Sequence, residues 1–81
     1  MSDVNVRETV LDLLEDICGD EIVREEMDMD LFEEGLLDSM AAVEVLVDIE
    51  DKLGVSIGTT EYKREEMNTP AKIIARVEEH L

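Results

Sequence analysis

The side chains that stand out for possible chemistry in this 81-residue chain are Cys18, His80, the carboxylates of Asp28 and Asp30, and Ser39 directly after Asp38. A serine can serve as a hydrolytic nucleophile only with a base beside it. The sole histidine, His80, sits at the end of the chain, and no Gly-x-Ser-x-Gly turn surrounds Ser39, so a hydrolase is excluded. A calcium loop starting at Asp28 would need Asp or Asn at its fifth position, Gly at its sixth and Glu at its twelfth. It meets Phe32, Glu33 and Ser39 instead. One cysteine and one histidine support neither an internal disulfide nor a metal framework, and no metal site is expected. Cys18 lies on an apolar stripe and reads as a buried small hydrophobe, since nothing nearby would lower its pKa. Ser39 remains. On its own an Asp-Ser pair is also ordinary helix grammar, an N-cap followed by the first helical residue.

The elements that must position Ser39 follow from hydrophobic periodicity. Val6, Val10, Leu13, Leu14, Ile17 and Cys18 share one side of a first helix, with Asn5 and Glu8 as a capping box and Gly19 as the stop. Residues 19 to 38 show no sustained period. Ile22, Val23, Met27, Leu31, Phe32, Leu36 and Leu37 should pin this long connection across the other helices, and connections of such length tend to be functional. A second helix is expected from Ser39 to Leu53, with Asp38 as N-cap and Gly54 as terminator. Val55 and Ile57 suggest a short extended stretch, Thr60 to Glu66 a short helix, and Thr69-Pro70 opens a last helix with Ile73, Ile74, Val77 and Leu81 on its stripe. The result is an all-α fold with the whole of 1–81 as a single domain: three main helices, a short third helix between the last two, and a long loop after the first. With aromatics at 2 %, the core must come from Val, Leu, Ile and Met.

The second helix has two apolar faces. Ala42, Val45, Leu46, Ile49 and Leu53 form an ordinary core stripe, whereas Met40, Val43 and Val47 cluster on the opposite side with Glu44 and Asp51. Either this second stripe packs beneath the loop or the short helix, or it is a docking surface. Charge bears on the choice. The chain carries net −16, and from Glu25 to Asp51 there are eleven acids and no base. Such a balance excludes nucleic-acid binding and adsorption to anionic membranes, and favours a basic protein partner. The amino-terminal residues have no basic-then-apolar leader pattern, and no run reaches the roughly 20 apolar residues of a membrane span, so a cytoplasmic location is expected.

Gly35-Leu36-Leu37-Asp38-Ser39-Met40 resembles the Gly-x-x-Asp-Ser-(Leu/Met) signature of acyl and peptidyl carrier proteins. The longer segment Leu31 to Met40, together with Thr60-Glu61-Tyr62 and Asn68 to Ile74, is similar to the D-alanyl carrier branch of that family. Departures are Tyr62 where Phe is usual, Met67 where Trp is usual, and Ala41-Ala42 in place of Gly-Thr.

The resemblance implies a non-catalytic carrier bearing 4'-phosphopantetheine on Ser39, with Asp38 as the flanking motif residue and Met40, Val43, Glu44 and Val47 as docking residues. A phosphopantetheinyl transferase would install the arm. A ligase would load D-alanine as a thioester, and a membrane-bound acyltransferase would receive it for teichoic acid, the carrier itself being a monomer. A serine at a helix N-terminus suits this, because backbone N–H groups there favour a phosphodiester. Carriage for fatty-acid, polyketide or peptide-synthetase chemistry is the alternative, and a plain interaction adaptor stays open.

Overall fold

A computed structural model describes residues 5–58 and 64–80. Its α-helices are α1 (Val6–Cys18), α2 (Ser39–Leu53) and α3 (Pro70–Glu79), with 3-10 turns at Glu21–Arg24 and Arg64–Glu66. No strand occurs among the described residues. The expected short helix over Thr60–Glu66 is represented by the single turn Arg64–Glu66, and Thr60–Lys63 lie outside the described residues. The expected Leu81 on the α3 stripe also lies outside them. Residues 19–38 are not wholly irregular either, because Asp20 caps the turn at Glu21 by accepting the Ile22 N–H at 3.0 Å.

Caps set the helix boundaries. Asn5 accepts the Glu8 N–H at 3.1 Å, and the Glu8 carboxylate pairs with Arg24 at 3.2 Å. Thr69 caps α3 through the Lys72 N–H at 3.1 Å, with Pro70 in the first turn where its missing N–H costs nothing. Gly19 and Gly54 end α1 and α2 in the left-handed conformation.

Helix α1 packs on both α2 and α3, so its apolar face must be wider than one stripe. Leu11, absent from the periodic stripe read in the sequence, is accordingly buried with Val10, Leu13 and Leu14. Cys18 is half-buried rather than buried. Its thiol pKa is raised, chiefly by desolvation and secondarily by Asp20, which disfavours the nucleophilic thiolate. Helix α2 contributes Ala42, Val45, Leu46 and Ile49, and α3 contributes Ile73, Ile74 and Val77. Val55 and Ile57 enter the core from backbone outside any helix or 3-10 turn. Met67 is buried as well.

The long connection is stitched down at both ends. Arg24 reaches α1, where Glu8, Asp12 and Glu15 line one face, and Nε donates to Glu15 at 2.7 Å. These hydrogen bonds, Glu15's foremost, raise the guanidinium pKa further, against partial desolvation. Farther along, Val23, Leu31 and Leu37 are buried and Met27, Met29, Phe32 and Leu36 pack on the core. The loop is thus a folded part of the wall.

Candidate functional site

The approach to Ser39 is built from backbone hydrogen bonds. Asp30 accepts the Phe32 and Glu33 N–H groups at 3.0 and 3.1 Å, which starts a tight coil over residues 31–35. Gly35 ends it with φ +76°, a conformation costly for any residue with a Cβ, although a Cβ there would meet open space. The Leu31 carbonyl then accepts both Leu36 N–H at 2.9 Å and Leu37 N–H at 3.1 Å. Leu37 is buried, so the chain leaves the coil anchored and delivers Asp38 and Ser39 to the surface.

Asp38 has the extended backbone of an N-cap and accepts the Ala41 N–H at 2.8 Å, as its sequence position indicated. Ser39 is the first residue of α2 and is exposed. Its hydroxyl therefore stands at the positive end of a 15-residue helix dipole, free of the core. The site suits a covalently attached phosphodiester arm: the acceptor is exposed, and its neighbour Met40 is 80 % exposed rather than closing over it.

Met40, Val43 and Val47 are the exposed large hydrophobics of the described residues, at 80, 46 and 57 %. They do not pack beneath the loop or any other element. Glu44 is exposed among them, and so is Asp51. The structure brings Ser39, Met40, Val43, Glu44 and Val47 along one helix and leaves that side open. Beyond what the sequence indicated, α1 adds a second wall: Asp16 and Ile17 with Val43, Glu44, Val47 and Asp48 line an open groove of about 430 Å³. No periodicity within one helix could show which neighbour lies beside it. No group of His, Cys, Asp and Glu among the described residues is arranged to hold a metal ion. His80 is exposed at the end of α3, with its ring 3.0 Å from the Arg76 carbonyl oxygen.

Comparison with known proteins agrees with this geometry. A model of the family described as "Phosphopantetheine attachment site" matches residues 8–79, which takes in most of α1, all of α2 and α3, and the serine at the start of α2. The D-alanyl carrier protein of Enterococcus faecalis is 49 % identical over 75 residues, covering 93 % of this chain and 96 % of that one. The D-alanyl carrier proteins of Bacillus cereus and Bacillus anthracis are each 42 % identical over 73 residues, 90 % of this chain and 92 % of theirs. The chain belongs to the phosphopantetheine-attachment family and, within it, to the D-alanyl carrier proteins. It is a non-catalytic carrier.

Proposed function

We propose that Ser39 carries the 4'-phosphopantetheine arm and that the arm's terminal thiol holds D-alanine as a thioester on its way to teichoic acid. The observation that carries this reading is the exposed serine at the capped start of α2, directly continued by the exposed row Met40, Val43 and Val47. Asp38 fixes the helix start beneath the serine. Met40, Val43 and Val47 supply apolar anchors, and Glu44 with Asp16 and Asp48 supplies negative charge around the groove.

In the cycle, a transferase attaches the arm from coenzyme A, forming a phosphodiester at the serine oxygen and releasing the nucleotide portion. A ligase transfers D-alanine from its adenylate to the arm's thiol. A membrane-bound acyltransferase then takes the aminoacyl group. Partners with basic docking surfaces would be drawn to the net −16 of the chain, and holding the cargo on a tether raises its effective concentration at each of them. No helix among the described residues is long and apolar enough to cross a membrane. The reading has the carrier work in the cytoplasm as a monomer and meet the acyltransferase at the membrane face.

The test is loading of the phosphopantetheinylated protein by a D-alanyl ligase, comparing D-alanine, L-alanine and a fatty acyl donor with its own ligase. Thioester formation with D-alanine, lost in Ser39→Ala, is expected. Preferential fatty acylation would overturn the cargo assignment.

A further inference from the structure

Asn68 lies 38 positions from Asp30, yet it grips the loop twice. Its side-chain Nδ2 donates to Asp30 Oδ2 at 2.8 Å, and its backbone carbonyl accepts the Leu31 N–H at 2.7 Å. One residue therefore holds the two residues that begin the coil before Ser39. A further backbone bond, from the Ala71 N–H to the Met27 carbonyl at 3.0 Å, fastens the start of α3 to the same loop. The other Asp30 oxygen organises Phe32 and Glu33, and the Leu31 carbonyl receives Leu36 and Leu37. A continuous set of hydrogen bonds thus runs from the entrance of α3 to the residue before the Asp38 cap.

We propose that Asn68 and Asp30 are positioning residues for Ser39, fixing the loop so that the serine hydroxyl is presented in one geometry to the transferase. The proposal rests on Ser39 being the attachment point. It adds a role for two residues outside α2, which hold the loop that leads to the serine. Leu31 is buried, so its N–H has no water to replace the Asn68 carbonyl, and the charged Asp30 acceptor strengthens the side-chain bond. Loss of the clasp frees residues 31–37 to sample several approaches to α2. A transferase would then meet the reactive geometry less often.

The experiment follows phosphopantetheine addition from coenzyme A by intact mass, with the carrier as the varied substrate. Compared are wild type, N68A, N68D, the exchanged pair D30N/N68D, and Val77→Ala as a destabilised control elsewhere in the core. N68A and N68D are expected to lose about tenfold in kcat/KM at concentrations where circular dichroism shows them folded, since small misplacements of a reacting group are costly. N68D sets two carboxylates face to face. The exchanged pair restores an amide-to-carboxylate bond in reverse and should recover most of the rate. Amide hydrogen exchange over residues 31–41 should quicken in N68A but not in Val77→Ala. If N68A and Val77→Ala, corrected for folded fraction, are modified at the wild-type rate, or if the exchanged pair fails to rescue N68D, the positioning role is overturned. If wild type itself takes no phosphopantetheine, the Ser39 reading fails instead.

Discussion

The inward and outward faces of α2 are built from similar residues and meet opposite fates. Val45 and Ile49 face the core with almost no exposed surface, while Val43 and Val47, each two residues earlier in the chain, are about half exposed. Burial of an aliphatic side chain stabilises the fold by roughly 1.5–3 kcal/mol, so the inward face is explained by stability alone. Nothing in the described fold covers the outward residues. Apolar groups in water contribute little to folding, and their alignment behind an exposed serine, in a segment without a single base between Glu25 and Asp51, is what supports the proposed docking role. The same residue type can thus serve stability or recognition, and the 100° step of the helix decides which.

The contrast can be broken by asking whether stability and loading separate. The largest stability effect is expected from Ile49→Ala, a loss of about 2–5 kcal/mol in urea titration from the emptied core, with loading of the folded fraction retained. Asp38→Ala removes the acceptor of the Ala41 N–H and should cost about 1 kcal/mol. The double change Val43→Ser and Val47→Ser should move stability by no more than about 0.5 kcal/mol per site. Yet it should lower ligase kcat/KM about tenfold, the equivalent of about 1.4 kcal/mol of lost docking. Glu44→Lys sharpens the point, weakening loading at low salt more than at high salt while leaving helical circular dichroism intact. Equal loading by these outward variants and wild type would return the face to mere surface.

The smallest effect concerns Cys18. Because burial and Asp20 raise its folded pKa, the thiol contributes stability that is present below its unfolded pKa and declines as pH rises through it. Thermal scans from pH 7 to 10 should show a slightly steeper loss of Tm for wild type than for Cys18→Ala. Iodoacetamide should alkylate the native thiol more slowly than the urea-unfolded one.

What the sequence displayed and what it hid divide along the same physical line. Caps, stops and stripes are local, so Asn5, Gly19, Asp38, Gly54 and Thr69 could be placed from neighbours a few positions away. The second face of α2 was legible for the same reason, as three residues sharing a helical side. The 3-10 turn at Glu21–Arg24 was hidden because it is too short for a period. Arg24 pairing with Glu8, Asp12 and Glu15, and Asn68 closing on Asp30, join segments whose distance along the chain carries no trace of their contact. Leu11 was missed because a helix packed on two neighbours needs a broader apolar face than one stripe describes.

On the proposed function, Ser39 is a handle on an otherwise ordinary helix start. The most direct test is intact-mass measurement after incubation with coenzyme A and a promiscuous phosphopantetheinyl transferase, on wild type and Ser39→Ala side by side. Wild type should gain one phosphopantetheine mass and Ser39→Ala none. An unmodified wild type, or a modified Ser39→Ala, would contradict the account.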